Sequence, residues 1–252
     1  MKILSFDMGI HHLSYCVYDT VVHEIEQWEV VDILSSNHIH QHRPDLYEGY
    51  LYSTLQRFTK IQLVEIITFL SVDHRFPSLE TQCKSTLQQC LRQYWVDKKV
   101  KKVLSTDIEF LSYQLFYFLQ KTFDDIIYRG IDLIIIENQP CMKNPTMKSL
   151  QMMLYSFFMI EKCKNLEESA VDIRFVSANK KSKKLQDICN KKKGFTYKEK
   201  KQLSILYVTL FLQQHPVLSS WLSFFQKHSK KDDLADCLIQ IDDVLLSTSE
   251  NE

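Results

Sequence analysis

The run Ile131-Asp132-Leu133-Ile134-Ile135-Ile136 constrains this chain more than any other segment. It is apolar at odd and even positions alike, rich in β-branched side chains, and bounded by Gly130 and by Glu137-Asn138-Gln139-Pro140. A helix of so few residues would be marginal, whereas a strand buried on both faces reads this way, and such strands belong to parallel sheets covered by helices. The flanks agree. Asp107 is placed to cap a helix running to Tyr128, with Leu111, Leu115, Phe118, Leu119, Thr122 and Ile126 on one stripe. After the run come a helix from about Pro145 to Lys164 and a strand over Val171 to Val176, the order of a right-handed parallel crossover. Upstream, Lys2 to Phe6, Leu13 to Tyr18 and Glu24 to Leu34 read as a hairpin followed by a third strand. The expected class is α/β: a mixed five-stranded sheet flanked by helices.

From about 35 to 106 the pattern changes to a His- and Pro-containing loop followed by helical runs near Leu55 to Leu70 and Leu79 to Trp95. This stretch is read as a largely helical insertion or subdomain within a single domain spanning 1–252. The chain closes with helices over Tyr197 to Gln213 and about Lys231 to Leu246, separated by a break at Pro216.

Only four glycines occur among 252 residues, at 9, 49, 130 and 194. No phosphate-binding loop or dinucleotide fingerprint can be written from them, and an actin-like ATPase, which also begins with a strand and Asp-x-Gly, would need further glycine-rich turns. The longest near-continuous apolar stretch, Met152 to Ile160, falls short of a membrane span, so a soluble, intracellular protein is expected. Seven cysteines without a CxxC pair read as reduced thiols, and the alternating His38, His40 and His42 are assigned no chemistry.

The 31 basic and 31 acidic side chains cancel overall but not locally. Ser177 to Lys201 holds ten lysines (180, 181, 183, 184, 191, 192, 193, 198, 200 and 201) against Asp187 and Glu199, a net +8, which leaves −8 on the remainder. A cationic segment on an acidic body suits a polyanion, because lysines near phosphates release condensed counterions.

The acids suggest the chemistry. Asp7 follows the first strand, Glu137 ends the buried one, and ligands gather at the carboxyl ends of parallel strands. Asp233 and Asp236, three residues apart, project from one face of the last helix near its N-terminus, with Asp232 as a second option four residues from Asp236. Clustered carboxylates repel each other unless a cation neutralises them, and oxygen donors alone favour Mg²⁺ or Mn²⁺. Two such ions ~3.5–4 Å apart activate water and stabilise the departing 3′ oxygen of a phosphodiester.

Ser5-Phe6-Asp7-Met8-Gly9 with its hairpin, Ile135-Ile136-Glu137-Asn138-Gln139-Pro140, Met142-Lys143-Asn144 and Lys231-Asp232-Asp233-Leu234-Ala235-Asp236 together resemble the RuvC-like Holliday junction resolvases, most of all the poxvirus-type and fungal mitochondrial branch. The resemblance covers most of the chain outside the insertion. It implies an RNase H-like fold and a homodimer, dependent on two Mg²⁺ per site with Mn²⁺ able to substitute, that cuts four-way DNA junctions by paired nicks. Asp7, Glu137, Asp233 and Asp236 fall on the family's four catalytic, metal-binding acids. Lys230 and Lys231 stand where a positive group often lies beside the last acids. Together with Lys143, Lys180, Lys181, Lys183, Lys184, Lys191, Lys192 and Lys193 they form the expected DNA-binding set. Bacterial members carry an aromatic residue soon after the second acid; here Pro140, Cys141 and Met142 follow instead. The branch also suggests a large DNA virus of eukaryotes, which would place the protein in host cytoplasm at sites of viral DNA replication.

The helix over Thr146 to Lys164 is apolar nearly all round. One face can cover the sheet; the other needs either the rest of the protein or a second subunit, and the resemblance favours a dimer contact there, through Leu150, Leu154 and Phe157. Two alternatives stay open: a catalytically idle scaffold of the same fold that binds branched DNA, and a broader flap or fork nuclease.

Overall fold

The computed structural model describes residues 1–34, 43–73, 78–124, 130–140, 144–164, 171–177 and 195–249. Two compact units emerge, Met1–Ser35 with Phe118–Glu252, and Ser36–Tyr117.

The first unit is built on a five-stranded sheet of order β3-β2-β1-β4-β5. Its strands are β1 (Lys2–Met8), β2 (His12–Asp19), β3 (Glu24–Asp32), β4 (Ile131–Glu137) and β5 (Asp172–Val176). β1 pairs antiparallel with β2 and β2 with β3, while β1–β4 and β4–β5 are parallel, so β2 alone runs against the rest. That is the mixed five-stranded sheet expected from the sequence. β4 is buried on both faces at Ile131 and from Leu133 to Ile136, as those apolar positions require.

The two faces of β1 carry different cores. Leu4, Phe6 and Met8 point to a layer in which Phe6 lies 5.5 Å from Phe123 and 5.4 Å from Phe158. Phe123 ends α4 (Ile108–Phe123) and Phe158 belongs to α5 (Pro145–Lys164). Ile3 and, from neighbouring strands, Cys16, Tyr18, Leu133 and Ile135 face the opposite layer, with Leu234, Ala235, Cys237, Leu238 and Ile241 of α8 (Lys231–Ser249) and Val208 and Leu212 of α6 (Tyr197–Gln214). Trp28 anchors α8: its ring stacks on Phe225 of α7 (Ser219–Lys227) at 5.3 Å, and its buried Nε1–H donates to Leu234 O at 3.0 Å. The short α7, beyond Pro216, was not anticipated from sequence.

The second unit has its own apolar core, with Leu51 and Leu55, then Leu63, Ile66 and Ile67 of α2 (Lys60–Phe69), and Leu87, Leu91 and Trp95 of α3 (Lys84–Asp97). Thr59 caps α2 through a reciprocal pair with Gln62. The segment expected to be a loop contains α1 (Pro44–Thr54), where a Cβ on Gly49 would lie 2.4 Å from Lys101 O, so only glycine lets the two backbones meet. Asp107 does cap α4, accepting from the Glu109 and Phe110 amides, although that helix ends at Phe123. α4 belongs to this unit up to Tyr117 and to the first from Phe118.

α5 corrects one expectation. Leu150 and Leu154 have no exposed surface and Phe157 only 6%, so they pack inside the chain and cannot form a contact with a second copy. The reason is periodicity: these positions share the stripe that carries Phe158 onto the sheet. Facing outward instead are Ser149, Met152, Ser156, Ile160 and Cys163. No helix among the described residues is long and apolar enough to cross a membrane. Cys16, Cys83, Cys90, Cys163 and Cys237 form no disulfide among the described residues, while His38, His40 and His42 lie outside them.

Candidate active site

The paired strands β1 and β4 end at matching levels. Their last registered pair is Phe6 with Ile136, so Asp7 and Glu137 stand next in line, on the face shared by Ser5 and Ile135. Asp7 is followed by a tight turn in which Gly9 N–H donates to His12 O at 2.8 Å. A Cβ on Gly9 would lie 2.9 Å from that oxygen, which gives the Asp-x-Gly pattern a steric cause.

α8 delivers the other acids, and its position along the strands is marked by a buried polar pair, Ser5 Oγ–H to Gln240 Oε1 at 3.0 Å. Moving one turn back along α8 from Gln240 to Asp236 covers ~6 Å, and moving from Ser5 to Asp7 covers about the same. Asp236 therefore arrives level with Asp7, and Asp233 a further turn out. All four acids line one cleft of about 430 Å³, together with Met8, Gly9, His12, Ser14, Gln139, Met147, Tyr197, Lys200, Lys201, Ser204 and Asp232. Cys237, next to Asp236 on α8, is fully buried, and burial followed by the Asp7 carboxylate pushes its thiol far above the ordinary value.

The acids differ in environment. Burial, and next the neighbouring Asp232 carboxylate, raises Asp233 above the ordinary aspartate range; Lys230, Lys201 and His12 pull the other way. Asp232 is also desolvated, yet its hydrogen bond from Lys201 prevails and holds it below the ordinary range. That ion pair spans α6 and α8, and the Lys201 ammonium also sits 4.9 Å from the centre of the Tyr197 ring. Asp232 is thus engaged by a lysine, whereas Asp233 sits where a further cation would relieve it. Glu137 accepts from Gln139 Nε2 at 3.3 Å.

Hard oxygen donors fit Mg²⁺ or Mn²⁺ in chemistry, and the raised Asp233 fits a site completed by a cation. The side chains do not form a closed cage: among the described residues no three His, Cys, Asp or Glu groups converge as a ready ligand set.

Of the expected DNA-binding lysines, 143, 180, 181, 183, 184, 191, 192 and 193 lie outside the described residues. Lys230 is exposed, and its charge is felt by Asp232 and Asp233; neither it nor Lys231 lines the cleft. The lysines that do are Lys200 and Lys201, which in sequence belong to the basic segment and adjoin none of the four acids. A signal was available. Thr196 and Glu199 form a capping box that fixes the start of α6, and from there Tyr197, Lys200, Lys201 and Ser204 share one face.

The sequence matches no protein-family model. It is 25% identical, over 95% of its length and 73% of the other, to the uncharacterized protein L451 of Acanthamoeba polyphaga mimivirus. Among solved structures, the yeast mitochondrial Holliday junction resolvase Ydc2 superposes with a TM-score of 0.48 at 16% identity, over 94% of this chain and 75% of that one.

Proposed function

We propose that the cleft is the hydrolytic centre of a Mg²⁺-dependent endonuclease acting on branched DNA, four-way junctions above all. The observation that carries this reading is the convergence of Asp7, Glu137, Asp233 and Asp236, from three separate core elements, on one cleft edged by Lys200 and Lys201. Two Mg²⁺ per site, held by the four acids, would activate water and stabilise the departing 3′ oxygen. Mn²⁺ would substitute.

The chain's own groups prepare the substrate. Lys201, oriented by Asp232, and Lys200 put positive charge at the rim, where a backbone phosphate would otherwise be repelled by the acids. The lysine-rich segment that precedes α6 supplies the broader attraction for duplex arms. Tyr197, 76% exposed at the mouth, offers a ring to a base that leaves the stack. Paired nicks in opposed strands call for two sites, hence a C2 homodimer. With Leu150, Leu154 and Phe157 buried, the surface available on α5 is the stripe of Met152, Ser156 and Ile160.

A second reading, DNA binding without cleavage, is favoured by one observation, the lack of a closed ligand set among the described acids. One experiment separates them. Purified protein is incubated with labelled four-way junction, fork and linear duplex, with and without Mg²⁺, beside Asp7→Asn. The nuclease reading expects paired, Mg²⁺-dependent cuts in the junction and a loss exceeding ~100-fold in the variant, with junction binding kept. Near-wild-type cutting by Asp7→Asn overturns the site, and binding without any cutting selects the scaffold. Equal cutting of forks and junctions identifies the broader nuclease.

A further inference from the structure

The end of β4 is held by a side-chain network that the four-acid scheme does not use. Registered β1–β4 pairing stops at Phe6 and Ile136, one residue short of both acids. Beyond it, the Gln139 amide spans the gap: Nε2–H donates to Glu137 Oε1 at 3.3 Å and to Met8 O at 3.4 Å, the residue after Asp7. Gln139 is in turn held from α5. Its backbone N–H donates to Gln151 Oε1 at 2.8 Å, and Lys148 Nζ donates to the same oxygen at 3.2 Å and to Asn138 Oδ1 at 2.9 Å. Asn138 N–H completes the brace on β5, donating to Val176 O at 2.8 Å.

Gln151 is fully buried, and its Oε1 serves two donors while its Nε2 has no hydrogen-bond partner among the described residues. Flipping the amide would set its NH₂ against both donors, so its orientation is fixed by what it must hold. A buried amide with one end unpartnered is unfavourable for folding alone. Its product is a fixed Gln139, whose side chain turns back into the cleft rather than outward.

We propose that Gln139 is a positioning residue: it orients the Glu137 carboxylate and ties the end of β4 to the end of β1, with Lys148 and Gln151 securing it from α5. This deepens the nuclease reading and, for its effect on metal binding, rests on it. One Glu137 oxygen is engaged by the amide, so the carboxylate presents a defined edge to the cleft. The hydrogen bond is to a charged acceptor, and its loss should weaken a cation held by Glu137 by about tenfold.

Gln139→Met keeps the length and removes the donor. In metal-free protein carrying ¹³C-labelled glutamate carboxyls, with the Glu137 resonance assigned through Glu137→Gln, the variant should shift that resonance. Mn²⁺ affinity, titrated by electron paramagnetic resonance, should fall about tenfold in the wild-type background and not at all in Glu137→Gln. Junction affinity in Ca²⁺ should hold. Lys148→Met, whose change lies outside the cleft, should speed hydrogen exchange at the Gln139 amide and move the Glu137 resonance in the same direction. It reads the same coupling from the α5 side should Gln139→Met fail to fold. A Glu137 resonance unmoved by either variant overturns the proposal, as does an equal loss of Mn²⁺ affinity in the Glu137→Gln background. Wild-type protein that binds no Mn²⁺ would refute the metal chemistry of the nuclease reading, while the carbon resonance still decides the role of Gln139.

Discussion

Ser5 and Gln240 meet in the core directly beneath the acids, and their pairing can be dissected quantitatively. Ser5 is fully buried and Gln240 is 4% exposed; their hydrogen bond satisfies Gln240 Oε1 and leaves Nε2 without a partner among the described residues. Ser5→Ala strands the oxygen as well, so the buried amide holds two unpartnered atoms where it held one. The cost is that of one newly desolvated polar atom, about 1–3 kcal/mol. Gln240→Leu strands the Ser5 hydroxyl but removes the amide that was already incompletely satisfied, so it should cost less. The double variant removes every polar atom at the contact at nearly constant volume and should return to within about 1 kcal/mol of wild type, or exceed it. The cycle is read by urea unfolding, with melting temperatures moving about 2–4 °C per kcal/mol for a chain of this size. Because Trp28 still bonds to Leu234 O and the apolar face of α8 is intact, the double variant should keep the acids aligned and retain cleavage. A neutral Ser5→Ala, or a double variant no more stable than that single one, would show that desolvation of the stranded amide oxygen does not govern this contact.

Further outcomes follow from the same structure. Burial and Asp232 raise Asp233, so its ionised form opposes folding at every pH above the folded-state value. Asp233→Asn should therefore melt higher than wild type near pH 7, with the advantage vanishing below about pH 4, as a melting series across pH would show. Added Mg²⁺ should raise the melting temperature of wild type more than that of Asp233→Asn; equal shifts would place the cation elsewhere. Replacing Lys180, Lys181, Lys183 and Lys184 with Ala should weaken binding to all DNA forms and flatten the log K against log salt slope by roughly 0.9 per lost duplex phosphate contact, and an unchanged slope would show they only solvate a loop. Met152→Glu with Ile160→Glu places charge on the outward stripe of α5 without touching the core, so circular dichroism should be unchanged while light scattering reports a monomer. A dimer that survives both charges would remove this stripe as the contact.

The sheet is legible in the chain's own pattern. Four consecutive apolar residues from Leu133 to Ile136 suit a strand buried on both faces; the Asp-x-Gly turn likewise declares its close backbone approach at Gly9. The carboxylates were legible for the same local reason, since strand ends and a helix N-terminus can be read from a handful of neighbours. Faces were not. The stripe of α5 that buries Leu150, Leu154 and Phe157 could not be chosen from a helix apolar almost all round, because which side meets the sheet depends on how Phe6 and Phe123 pack against Phe158. Nor could the cleft cations be assigned. Lys230 and Lys231 adjoin the acids in sequence, but Lys200 and Lys201 reach the cleft because α6 lies beside α8, with Lys201 closing on Asp232 across 31 positions of chain. The brace of Lys148, Gln151 and Gln139 behind Glu137 joins α5 to the end of β4 in the same way. Local periodicity fixes what each element is, while contacts between distant elements are decided only when the layers close, since each depends on the rotation and sliding of one element against another.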